Sequence, residues 1–201
     1  MTSHRATTPQ QIRSDYVDRA ERLAVVLDDA GPRWDAPTPC DGWTVRDVVR
    51  HAVDTEGELL ARHGLASPLA PDAPHPADAE DLAASWRAWA AGVAAVVDDE
   101  ALATTYDGFF GPTTVGETLR DFYTWDLAVH AWDVARATGQ AYALSDAEAA
   151  AHEETAAAWG DALYAEGVCA GPVPVAADAS AWERLLGRLG RDPGWSAPAV
   201  G

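Results

Sequence analysis

Between its Gly/Pro-rich breaks, the sequence repeats apolar side chains three or four residues apart. That recurrence restricts the chain to packed amphipathic helices. Residues Pro9–Ala30 carry Ile12, Tyr16, Leu23, Val26 and Leu27 on one stripe, and Gly31-Pro32 closes the segment. A second helix is expected from Val45 to about Gly64. It opens on Thr44 and Asp47, nearly a capping box, and its stripe runs through Val48, Val49, Ala52, Val53, Leu59 and Leu60. Four prolines make 67–76 irregular, and a third helix over 77–97 presents Leu82, Trp86, Trp89, Val93 and Val96. Residues 104–113 mix β-formers, aromatics and glycines and fit a short strand or an ordered loop. Thr114 and Glu117 then open a fourth helix ending before Gly139. Ser145 and Glu148 open a fifth, Ala-rich one to about Glu166, and 182–189 forms a last short helix.

The apolar fraction contains 43 Ala, the strongest helix former, so the helices are expected to pack closely through small side chains. At 201 residues the chain suits one domain, 1–201, with a core of ordinary size. An antiparallel bundle of four or five helices, all-α in class, follows from these periods.

Fourteen basic residues, all arginine, stand against 32 acids, for a formal charge of −18. A phosphate backbone would meet a like-signed surface, so a nucleic-acid partner is excluded, and an anionic membrane surface is disfavoured for the same reason. Residues 1–11 carry no apolar leader and no apolar run reaches membrane-spanning length, so the expected location is the cytoplasm. Two cysteines, Cys40 and Cys169, support neither a disulfide framework nor a cysteine-only metal site.

Chemistry concentrates on the fourth helix. Asp126, His130 and Asp133 follow at intervals of four and three, on the face that also carries Leu119, Phe122 and Ala137. A carboxylate turned toward a core needs a cation, a donor network or a metal. His51, at the margin of the second helix's stripe, is the natural third ligand. His4, His63 and His75 fall in tails or loops, and His152 has Ala and Glu for neighbours. On spacing alone the set reads either as a metal centre or as a solvated Asp/His pair beside a satisfied histidine. Asp133 is placed either to hold a ligand imidazole through its other ring N–H or to pair with Arg136 or Arg120. Trp43, Trp125 and Trp132 read as packing residues, and Cys40 as a small buried side chain or a fourth, soft ligand.

Three stretches carry a resemblance: Thr38-Pro39-Cys40-Asp41-Gly42-Trp43-Thr44-Val45-Arg46-Asp47-Val48-Val49-Arg50-His51, the run from Asp126 to Gly139 (DLAVHAWDVARATG), and the tail LLGRLGRDP at 185–193. Together they resemble the actinobacterial, DinB-like metal-binding proteins related to the N-terminal domain of mycothiol-dependent maleylpyruvate isomerase. The resemblance implies a four-helix bundle, here with an extra short C-terminal helix, and a divalent metal held at His51, Asp126 and His130. Two departures stand out: the isomerase has Glu where Asp126 stands, and it has a further C-terminal domain for which little sequence follows the bundle here.

Three protein ligands leave open positions on the metal, with Zn foremost and Ni, Fe or Mn also suited to two imidazoles and a carboxylate. An open zinc position can bind and deprotonate a thiol. The resemblance implies mycothiol as that thiol, hence a metal-dependent S-transferase or thiol-assisted isomerase acting on a small electrophile shaped by 67–76 and 104–113. The alternatives are a metal-dependent hydrolase with Asp133 or Glu56 as base, or a non-enzymatic metal-binding regulator. A homodimer through a helical face is a further expectation.

Overall fold

The helices begin where side chains can replace missing backbone partners. In the computed structural model, which describes residues 7–197, α1 spans Pro9–Ala30. Thr8 accepts from the Gln11 N–H, while the Gln11 side chain accepts from the Thr8 N–H. α2 (Val45–Arg62) opens on the same reciprocal arrangement between Thr44 and Asp47. α3 (Leu82–Val96) is capped by Asp81 and α4 (Asp99–Ala103) by Asp98. The Thr114/Glu117, Ser145/Glu148 and Ser180/Glu183 capping boxes start α5 (Val115–Thr118), α7 (Asp146–Trp159) and α8 (Ala181–Arg188). Each such cap contributes about 1 kcal/mol.

Three expected boundaries move. The third helix starts at Leu82 rather than 77, because Pro76–Asp78 forms a separate 3-10 turn in which the His75 ring accepts from the Ala77 N–H. The fifth stops at Trp159 rather than near Glu166, since Gly160 adopts φ +55° and a 3-10 turn, Gly160–Tyr164, follows. The fourth is not one α-helix: α5 passes through a π-helical turn, Leu119–Tyr123, into α6 (Thr124–Ala137). The extra residue in that turn re-aims Phe122 and Tyr123 relative to a straight helix. Residues 104–113 include a short hairpin, β1 (Thr105–Gly108) antiparallel to β2 (Gly111–Thr114), with Thr105 opposite Thr114 and Gly108 opposite Gly111. The described chain is otherwise mostly helical. No helix among the described residues is long and apolar enough to cross a membrane.

The chain divides into two compact units, and α1, α2 and α6 contribute residues to both. Of the described residues the first comprises 7–25 and 49–127; its core gathers Tyr16, Leu23, Leu60, Leu82, Trp86 and Leu119, all almost wholly buried. The second comprises 26–48 and 128–197, around Leu27, Val45, Val134, Leu163, Leu185 and Leu186.

Candidate metal centre

In the first unit, α2 carries His51 and the first turn of α6 carries Asp126, with His51 Nε2 3.6 Å from Asp126 Oδ2. Both side chains keep partial access to solvent, 25% and 13%. That distance is long for a direct hydrogen bond. It is close to the ~3.4 Å that separates two atoms each bound to one tetrahedral ion at about 2.1 Å. The neighbourhood is tied down: Thr55 donates to the His51 carbonyl at 2.9 Å, and the Tyr123 hydroxyl donates to the Thr55 carbonyl at 2.7 Å. The π-helical turn is thereby fastened to α2 one turn from His51.

Further along α2, Glu56 is buried and receives the Tyr16 hydroxyl at 2.9 Å and the Trp89 indole N–H at 2.6 Å, both on Oε2. Its Oε1 has no hydrogen-bond partner. Burial pushes its carboxyl up to about 8; the two neutral donors offset only part of this, and the charge of Asp126 adds to it. Glu56 is therefore mostly protonated at neutral pH.

The second unit holds a different cluster, built on α6. His130 and Asp133 stand three residues apart, with His130 Nδ1 2.9 Å from Asp133 Oδ2, and both are buried. Arg191 clamps the carboxylate through Nε at 3.0 Å and Nη2 at 2.9 Å, and its Nη2 lies 3.4 Å from Cys40 Sγ. The Cys40 thiol donates to Asp133 Oδ2 at 3.2 Å, and the Trp43 ring stacks on His130 with centroids 5.9 Å apart. Burial by itself would raise the Asp133 pKa, but the guanidinium of Arg191 and the His130 hydrogen bond hold it well below the usual carboxylate range. An anionic Asp133 fixes the proton of a neutral His130 on Nδ1, leaving Nε2 with the lone pair a metal needs.

Cys40, His130 and Asp133 have donor atoms within 4.8 Å of one another, as metal ligands would. Asp133 and Cys40 already share a cation, Arg191, so this group is an ion-paired cluster and a poor second metal site.

The structure thus brings His51 to Asp126, and sets His130 one turn after Asp126 on uninterrupted α6, with Asp133 behind His130. Arg120 pairs with Asp121, and Arg136 donates to the Trp195 carbonyl; neither of the arginines expected for Asp133 takes it. His63 meets Tyr106 edge-on at 4.5 Å, and His75 lies 3.1 Å from Asp54. His4 lies outside the described residues.

Arg191 is the functional-site residue that periodicity misses, because it follows the last helix. Its signal is the glycine before it. Gly190 takes φ +76° after α8, and a Cβ there would stand 2.6 Å from that of Ala170, so a side chain is excluded twice over. The Arg191 N–H returns to the Leu186 carbonyl at 2.9 Å, the closing bond of a Schellman turn.

The family model described as the mycothiol maleylpyruvate isomerase N-terminal domain matches residues 14–135, more than half of the chain. That stretch contains Cys40, His51, Asp126, His130 and Asp133 but not Arg191. Two uncharacterized proteins of Mycobacterium tuberculosis, from two strains, are each 35% identical over 106 residues, covering 52% of this chain and 54% of theirs. The chain spans about half the length of the curated relatives it matches. No solved structure gives a significant match. The extent of the family match places this chain in the mycothiol maleylpyruvate isomerase N-terminal domain family, an actinobacterial, DinB-like group.

Proposed function

We propose that this chain is a divalent-metal-dependent, thiol-using enzyme, acting as a single DinB-like four-helix-bundle domain and holding its metal through His51, Asp126 and His130. The observation that carries the reading is the 3.6 Å approach of His51 Nε2 to Asp126 Oδ2, with His130, its Nδ1 2.9 Å from Asp133 Oδ2, one turn further along the same helix. Two imidazoles and a carboxylate suit zinc first, and nickel, iron or manganese next. When bound, the metal supplies Lewis acidity that makes a thiol nucleophilic at neutral pH. Membership of this family supports a small-molecule thiol, mycothiol foremost, with an electrophile as the second substrate.

The protein's own part is positional. Asp133, kept ionised by Arg191, orients the His130 ring, and Thr55 ties the Tyr123 end of the π-helical turn to the turn of α2 that bears His51. The partial exposure of His51 and Asp126 leaves an approach for substrate.

Metal analysis of the purified chain tests the assignment. We expect about one zinc per chain in the wild type and loss of most of it in His51→Ala and in His130→Ala, since three ligands become two. Full occupancy in either variant would overturn the ligand set. Metal-dependent consumption of an electrophile only when mycothiol is supplied supports the thiol reading, whereas ester cleavage without any thiol favours a hydrolase.

A further inference from the structure

The hairpin tip carries two aromatic residues, one packed inward and one left in solvent. Gly108 and Gly111 pair, so Phe109 and Phe110 form the whole connection. Such two-residue connections favour Asn, Asp and Gly. No non-glycine residue among those described has positive φ, and the unusual conformation falls on Gly111, at φ +112°. The backbone therefore asks nothing of position 109 that a polar residue would not supply. Phe109 is nevertheless the most exposed large apolar side chain among the described residues, at 64%.

These rings do not stand alone. Phe109 meets Phe110 edge-on at 5.0 Å, Phe110 tilts against Phe122 at 6.0 Å, and Phe122 meets Tyr123 edge-on at 5.2 Å. Phe122 and Tyr123 belong to the π-helical turn, an irregularity frequent at functional sites. Four residues after Phe122 comes Asp126, and Tyr123 is bonded to the carbonyl of Thr55, which itself bonds the His51 carbonyl. The aromatic run thus leads from solvent at Phe109 to Tyr123, which is bonded to the turn of α2 that bears His51, and Phe110 and Phe122 are only half-buried along it.

We propose that Phe109, Phe110 and Phe122 form the wall that receives an aromatic or extended apolar portion of the electrophilic substrate beside His51 and Asp126. This rests on the metal-dependent reading above and adds the substrate class to it. A small neutral or apolar body fits better than a macromolecule, because the apolar surface is one hairpin tip on a chain of net charge −18. Edge-to-face and offset ring contacts give such a wall geometric preference as well as burial. Charged or strongly polar electrophiles without an apolar portion would gain nothing from it.

The test uses the zinc-loaded full chain and N-phenyl-1-naphthylamine, a neutral aromatic fluorophore, with zinc content measured on the same samples. We expect saturable binding of about one probe per chain, and dissociation constants raised about tenfold in Phe109→Ser and in Phe122→Leu, the loss of one good ring contact plus its burial. Phe109 lies at an exposed tip, so its variant tests the wall without disturbing the core. Zinc content should match the wild type in both variants. Absence of saturable binding, or affinities within about twofold of wild type in both variants, would overturn the wall. A wild type that takes up no zinc yet binds the probe through Phe109 would overturn the metal reading and leave the aromatic pocket supported.

Discussion

Each of the two compact units buries an acid, and the two acids end in opposite states. Glu56, in the first, is surrounded by neutral donors, the Tyr16 hydroxyl and the Trp89 indole, and keeps its proton to about pH 8. Asp133, in the second, is equally inaccessible but lies between the Arg191 guanidinium and the His130 ring, and stays ionised far into acid. Desolvation pushes both upward; only the second has a positive charge at hydrogen-bond distance to reverse it. Burial therefore does not decide whether a carboxyl is charged. Its nearest cation does. The consequence is functional, since a neutral Glu56 can serve as a packed hydrogen-bonded group, whereas an anionic Asp133 can orient a histidine.

Removing the cation should break the contrast most strongly. Arg191→Met leaves Asp133 buried without its guanidinium counter-ion, and should cost about 3–5 kcal/mol in urea denaturation at pH 7. Adding Asp133→Asn to that variant should recover a large part of the loss. A single variant as stable as wild type would show that the pair contributes nothing.

The Glu56 side is sharpened by pH. Its folded-state pKa is raised, so unfolding releases a proton between the ordinary carboxyl value of 4.5 and about 8. The stability it contributes is full below that window and is lost as pH rises through it. Glu56→Gln should match wild type within about 1 kcal/mol near pH 5 and gain on it by about 1.4 kcal/mol per pH unit up to about pH 8. Parallel stability curves for the two proteins would contradict a neutral Glu56. Asp133, with its depressed pKa, has the opposite sign: its contribution is present above the ordinary carboxyl range and is lost only as pH falls well below it.

The smallest effect is expected at Cys40, whose thiol donates one bond to Asp133. Cys40→Ala should cost about 1 kcal/mol or less, with zinc content unchanged. A drop in zinc would instead bring Cys40 into the ligand set as a fourth, soft donor.

Much of the helical framework was legible from local signals. Both ends of α1, the start of α2 at Val45, the cap at Thr114 and the stop at Gly139 depend on side chains within four residues of the boundary. The boundaries that moved depend on less local balances. The π-helical turn needs one extra residue accommodated while Tyr123 bonds Thr55, 68 positions earlier, and no 3.6-residue period announces it. The late start of α3 reflects a 3-10 turn that His75 caps. In the candidate site, the alignment of Asp126, His130 and Asp133 could be read from spacing because all three share α6. That Asp133 would take Arg191, and not Arg120 or Arg136, could not, because 58 residues separate the pair.

By itself, then, the sequence determined the helical class, the capped ends and the acid-rich, histidine-bearing face of α6. These follow from interactions between residues at most a few turns apart. Only the tertiary structure decided that His51 comes to 3.6 Å from Asp126, which of two buried acids is charged, and that a Phe-Phe hairpin tip joins the aromatic run ending at the π-helical turn. Each of these depends on groups from different elements being brought to within a few ångströms, where desolvation and Coulombic terms become large enough to choose between states that local sequence leaves equal.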